Sequence, residues 1–184
     1  MGPRTIACLP MALSVCLLLD DRSDRAVRAL WSRLEEAGIV TLLSHTHGRH
    51  RPHLTLASLL SYELDAVRSV LSELPGREPL DLRLEGLGMF RRSRCWLAPV
   101  ASGELLARQQ ATAAAVSRTD ALLHRNYAPG AWTPHLTLAP RLHLDQLPTV
   151  ARHAFEVLPI DTTLDRAALI DTSTGDLHPL PRLL

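Results

Sequence analysis

Little in this sequence is in excess, and several common signatures are missing. The 20 Arg and Lys residues nearly cancel 19 Asp and Glu, for a net charge of +1. A balance this even excludes a protein that gathers long duplex nucleic acid by bulk electrostatics. Any nucleic-acid role must be local, at one chain end or one nucleotide. Cysteine is scarce: Cys8, Cys16 and Cys95 form no CxxC pair and no even framework. That excludes a disulfide scaffold and points to free thiols in a reducing cytoplasm. There is no Gly-rich phosphate loop, no HExxH and no doubled CxxC, so no nucleotide-loop or metal signature is present. A membrane span is excluded as well. The opening stretch, residues 1–19, has an early Arg4 and an apolar run, but Pro10 interrupts it. It then passes straight into Asp20-Asp21-Arg22 without a small-residue cleavage site. It reads as a poorly ordered extension over residues 1–10 before a first strand, Leu13 to Leu19.

What is there is a repeat. Pro52-His53-Leu54-Thr55-Leu56-Ala57 returns as Pro134-His135-Leu136-Thr137-Leu138-Ala139, 82 residues later in a chain of 184. Identical six-residue words point to an internal duplication. In a strand, alternate side chains face opposite ways. Leu54, Leu56, Leu136 and Leu138 then enter a core, and His53, Thr55, His135 and Thr137 share the other face. Two such strands about a pseudo-twofold axis bring two imidazoles and two hydroxyls to one cleft.

The rest of the chain supplies a scaffold. At 46% hydrophobic it can bury a sizeable core, and nothing marks a linker, so residues 11–184 read as one domain. Ser23 caps a helix over 24–37 whose apolar face is Val27, Leu30, Trp31 and Leu34, stopped by Gly38. Short strands are expected at 39–43 and 53–60, with a polar loop at 45–51 between them. A helix over 63–74 ends at Pro75-Gly76. Residues 80–87 alternate as a half-exposed strand, with Gly86 and Gly88 marking a bulge or a close backbone approach. A basic turn, 90–94, leads to a strand over 95–100. The longest helix spans 103–124, the second motif strand 132–139, and a helix 145–157, with Pro148 in its first turn. Strands at 162–164, 167–171 and 177–180 close the chain around a turn at 174–176. The class is α+β, two antiparallel sheets facing a central cleft with helices on the outer sides.

Histidine gives or takes a proton near neutrality, with an unperturbed pKa of about 6.5. Two of them astride a phosphodiester divide the labour: the neutral one deprotonates the attacking oxygen and the protonated one serves the leaving oxygen. Threonine hydroxyls donate to the non-bridging oxygens. No metal or other cofactor is required. These paired His-x-Thr words resemble those of the 2H phosphoesterases, and within them the bacterial 2′-5′ RNA ligase-like, or RNA 2′,3′-cyclic phosphodiesterase, group. His53/Thr55 and His135/Thr137 match both motifs. Leu13 to Asp20 with the following helix resembles the family's opening. Leu87-Gly88-Met89-Phe90 with Arg94-Cys95-Trp96-Leu97 resembles its mid-chain strand pair. The resemblance implies a bilobal pseudo-symmetric fold with both termini in one lobe. It also implies metal-independent opening of 2′,3′-cyclic phosphates, or cleavage or ligation of 2′-5′ linkages. The motif symmetry leaves open which histidine is the acid.

Around the motifs, Arg49 and Arg51 stand where a guanidinium can meet a phosphate. Arg94, with Arg91 and Arg92, makes a second basic lip. Phe90 and Tyr127 are candidates to stack on a base, and Trp132 to wall the cleft. His45, His47, His50 and His53 crowd nine positions, but no Cys or carboxylate joins them at ligand spacing; a solvated loop is the expectation. The partner expected is a nucleotide 2′,3′-cyclic phosphate or a short RNA end, bound by a monomer. The competing reading is a repurposed 2H-fold protein that binds a nucleotide-like small molecule without turnover.

Overall fold

A computed structural model describes residues 13–184; the expected extension over residues 1–10 lies outside them. The first element, β1 (Leu13–Leu19), is buried on both faces. Helix α1 (Asp21–Glu36) follows, then β2 (His53–Ser61), α2 (Leu64–Ser72), β3 (Leu80–Phe90), β4 (Arg94–Pro99) and α3 (Gly103–Val116). The chain continues through β5 (Leu122–Leu123), β6 (Leu136–Ala139), α4 (Leu147–Phe155), β7 (Ile160–Asp171) and β8 (Leu177–Pro179).

The class is α+β as expected, but the two separate sheets are not seen. The described strands form one antiparallel sheet in the order β5-β2-β1-β7-β3-β4-β6, with β8 on the far part of β7. The reason lies in two long strands. Residues 162–164 and 167–171 are not two strands but one, β7, of 12 residues. Its first part pairs with β3 from Leu80↔Leu164 to Leu84↔Ile160. Its later part pairs with β1, from Leu19↔Leu164 to Leu13↔Asp171. Beyond Leu84, β3 leaves β7 and pairs with β4 instead, through an irregularity at Leu84/Gly86. Two wings therefore diverge from one shared joint, one ending in β2 and β5, the other in β6.

Leu54, Leu56, Leu136 and Leu138 are all buried in the main core, as the alternation requires. Val27, Leu30, Trp31 and Leu34 of α1 pack into the same core. Cys16, Leu18, Ala168 and Ile170 form a second, smaller cluster. They alternate with the core residues of β1 and β7, so they lie on the sheet's opposite face.

Several boundaries differ from expectation, each for a local reason. Asp20, not Ser23, caps α1: its carboxylate accepts from the Ser23 amide and hydroxyl, both at 2.9 Å. Residues 39–43 are not a strand. The Glu35 carboxylate takes the amides and hydroxyls of Thr41 and Ser44 and winds the chain around itself. Helix α3 stops at Val116 rather than 124. Ser117 and Thr119 hydroxyls turn back onto the Ala114 and Val116 carbonyls, a known rival to helix continuation, and Leu122–Leu123 joins the free edge of β2. The second motif strand begins at Leu136, not 132, since Pro134 offers no amide to a ladder. Before α4, residues 144–146 form a single 3₁₀ turn, and Pro148 sits in the first helical turn.

Candidate active site

The two copies of the repeated word end the two wings. Strands β2 and β6 do not hydrogen-bond to each other, yet they lie against one another. His53 and His135 are both half-buried, and close enough for the charge of one to depress the other. Each is held in the same way. His53 Nδ1 meets the Arg51 carbonyl at 2.6 Å, and His135 Nδ1 meets the Thr133 carbonyl at 2.8 Å. A carbonyl only accepts, so each Nδ1 carries the hydrogen and each neutral ring keeps its lone pair on Nε2. Burial lowers the pKa of both rings, more than the carbonyl contacts raise it, and the Arg94 guanidinium lowers both further. His135 is brought down to about 4.

Around them the two halves differ. Across the ladder from Thr55 is Cys16, and across from Thr137 is Trp96. Thr55 is buried. Its hydroxyl lies 3.7 Å from Cys16 Sγ, its carbonyl accepts from Trp132 Nε1 at 3.0 Å, and the Tyr127 phenol also reaches its side chain. On the other side Trp96, Phe90 and His135 form an aromatic group. Phe90 meets His135 edge-on at 4.9 Å between ring centres and Trp96 at 5.1 Å. Trp96 lies over Gly88, where a Cβ would fall 2.2 Å from the indole.

Arg94 is exposed, and its charge is felt at His45, His53, Tyr127 and His135 alike. No carboxylate pairs with it among the described residues. Arg51 is exposed beside the first motif. Arg49 points elsewhere: it bonds the Thr174 carbonyl and pairs with Asp176 at 3.5 Å, tying the loop to the turn before β8. The histidine loop is not uniformly solvated. His50 is buried, its Nε2 2.9 Å from the Thr46 hydroxyl, and His47 packs on it at 4.1 Å between centres. Among the described residues no three His, Cys, Asp or Glu are arranged to hold a metal ion. Sequence reasoning missed Cys16 and Trp96, because cross-strand register has no local signal. A groove of about 580 Å³ lies away from the histidines. Its walls include Asp20, Asp81, Arg83 and Asp161, whose charges are engaged with Ser23, Thr162, Thr163 or each other.

One antiparallel sheet carrying four helices is a fold that the described residues share with LigT-like structures. The chain matches a solved phosphoesterase over 95% of its own length and 97% of that chain, at 20% identity and a TM-score of 0.61. It matches E. coli LigT, solved with NADP+, over 94% and 96%, at 18% identity and a TM-score of 0.56. TT0787 of Thermus thermophilus matches over 95% and 100%, at 18% identity and a TM-score of 0.55. No curated protein sequence matches significantly. The family model of the 2′-5′ RNA ligase superfamily matches residues 20–176, and the chain belongs to that superfamily. Among the described residues no helix is long and apolar enough to cross a membrane.

Proposed function

We propose that this protein is a phosphodiesterase that opens 2′,3′-cyclic phosphates of nucleotides or RNA ends, with His53 and His135 as its acid-base pair. The observation that carries the reading is the mirrored anchoring of the two imidazoles, each by Nδ1 to the carbonyl two residues before it. That leaves two Nε2 atoms free for proton transfer in one cleft. In the reaction one neutral imidazole takes a proton from water as its oxygen attacks phosphorus. The P–O bond to one ribose oxygen breaks, and the other imidazole, as imidazolium, protonates that oxygen. The product is a 2′- or 3′-phosphomonoester. Thr55 and Thr137 hydroxyls donate to the non-bridging oxygens, and Arg94 offsets their charge. With a ribose hydroxyl in place of water, run in either direction, the same set makes or cleaves a 2′-5′ linkage.

A base of the substrate stacks on Phe90, within the aromatic group that holds His135. Trp132 closes the opposite wall through its bond to Thr55, and Arg51 lines the entrance. E. coli LigT has been solved with NADP+ and with 3′-AMP, which supports a nucleotide as the ligand class. The test is a panel of 2′,3′-cyclic nucleotides and 2′-5′ dinucleotides read by mass. We expect His53→Ala and His135→Ala each to lower turnover at least about a hundredfold, with EDTA without effect. Substantial turnover in either variant rejects the assignment. Tight nucleotide binding without turnover in the unaltered protein selects the binding-protein reading.

A further inference from the structure

The residue across the ladder from Thr55 has no place in the reaction just described. Cys16 sits in the middle of β1, fully buried, on the face that carries the motif side chains. Its sulfur is 3.7 Å from the Thr55 hydroxyl oxygen. Tyr127, on the turn after β5, brings its phenol to the same hydroxyl and close to the same sulfur. That turn is fixed from behind: the buried Gln109 of α3 donates to the Tyr127 carbonyl at 2.8 Å and to the Leu56 carbonyl in β2 at 3.3 Å. Two polar side chains thus meet one threonine hydroxyl, while no side-chain bond to the Thr137 hydroxyl is found among the described residues.

A threonine hydroxyl has one hydrogen to give and two lone pairs to fill. Its value at a phosphate depends on where that one hydrogen points. If a neighbour accepts it, the oxygen presents only lone pairs to an anion. We infer that Cys16 and Tyr127 are positioning residues: their S–H and O–H donate to Thr55 Oγ1, which leaves the Thr55 hydrogen to aim at a phosphate oxygen in the cleft. The inference rests on the phosphate-binding role of Thr55 proposed above, and adds what directs it. Both neighbours hold the hydrogens that this requires. Burial raises the Cys16 thiol to about 12, against a lowering by Thr55. Burial and the neighbouring Cys16 raise the Tyr127 phenol to about 12 as well. Neither group ionises near neutral pH, so both remain donors. Donation into the oxygen also polarises the outgoing O–H, since chained hydrogen bonds reinforce one another. Tyr127 is then a support beneath the phosphate rather than a platform for a base.

The opposite polarity has the opposite consequence. If Thr55 donates to sulfur or phenol, removing that acceptor frees its hydrogen and phosphate binds more tightly. Inorganic phosphate titrated into the full-length protein by calorimetry reads the sign directly, alongside kcat and KM for 2′,3′-cyclic AMP. We expect Cys16→Ala and Tyr127→Phe each to weaken phosphate binding about three- to tenfold, the loss of one modest hydrogen bond. Cys16→Ser, which keeps a donor, recovers most of the loss. In a Thr55→Ala background both changes fall to less than about twofold, because the path runs through that hydroxyl. Unchanged or tighter phosphate binding in Cys16→Ala and Tyr127→Phe overturns the inference. So does a loss that persists in full without the Thr55 hydroxyl. Absence of turnover by the unaltered protein rejects the phosphodiesterase reading instead, and the phosphate cycle still decides the polarity.

Discussion

The proposed chemistry turns on two imidazoles that are harder to protonate than a free one. His135 and His53 are both lowered by burial, with Arg94 adding to it. Two-histidine catalysis needs one ring protonated and the other neutral. Above the unperturbed value of about 6.5 nearly all the free protein has both rings neutral, and the competent singly protonated form declines about tenfold with each pH unit. We expect kcat/KM for a 2′,3′-cyclic nucleotide to rise as pH falls from about 8 towards 6, with a slope near −1 and an optimum below about 6.5. In Arg94→Ala the charge that depresses both rings is gone, so the same limb moves to higher pH even as KM rises. A pH–rate profile that is flat over this range, or a limb that does not move in Arg94→Ala, contradicts the assignment of these two rings.

At the scale of elements, each motif segment is flanked by a different strand, β2 by β1 and β6 by β4, and Gly88 in β3 shows how tightly the second side is packed. Gly88 faces Trp96 across the β3–β4 ladder, with the indole occupying the space a methyl would need. Gly88→Ala forces Trp96 off its seat, and with it the Phe90 and His135 contacts. We expect a loss of about 1–3 kcal/mol by denaturant unfolding, the usual cost of overpacking, together with a fall in kcat. Unaltered stability and activity in Gly88→Ala refutes this account of the aromatic group. That glycine is readable in the sequence, as is the burial of Leu54, Leu56, Leu136 and Leu138, because a period of two is a local property. What is not readable is what the ladder brings together from afar. Cys16 against Thr55, and Trp96 against Thr137, follow from register, which no short window contains. The end of α3 escapes for another reason: nothing like the Gly38 or Pro75-Gly76 stop follows Val116, and the stop comes from Ser117 and Thr119 hydroxyls bonding backwards. The cap of α1 falls three residues from its expected place because Asp20 and Ser23 are both good caps and bond to each other.

At the scale of the whole molecule, the mutual position of the two wings depends on the joint where β3 and β7 pair. One carboxylate gathers that joint. Asp20 accepts from the Ser23 amide and hydroxyl of α1 and from the Thr162 hydroxyl and Thr163 amide of β7, all at 2.9 Å. Its own amide donates to the Thr163 carbonyl at 2.8 Å. Burial alone would raise its pKa, but those donors together hold the carboxyl well below the usual carboxylate range. Asp20→Ala removes a helix cap and strips four donors of their acceptor, so we expect a loss of about 2–3 kcal/mol at pH 7. The pH dependence has a definite sign. The folded protein keeps this carboxylate ionised at a pH where the unfolded chain has protonated it. The contribution is therefore complete above about 3.8 and is lost as pH falls below that value. Two histidines add a separate effect at higher pH. His50 and His135 are lowered to about 4 against 6.5 in the unfolded chain. Between those values the unfolded chain binds more protons, and stability drops as pH falls from about 6.5 to 4. Unfolding free energies measured from about pH 7 to 2.5 should then fall in two stages. Asp20→Ala keeps the first stage and, below about pH 3.8, converges on the unaltered protein. A constant gap between the two down to about pH 2.5 would mean that Asp20 holds the wings together by packing, not by its charge.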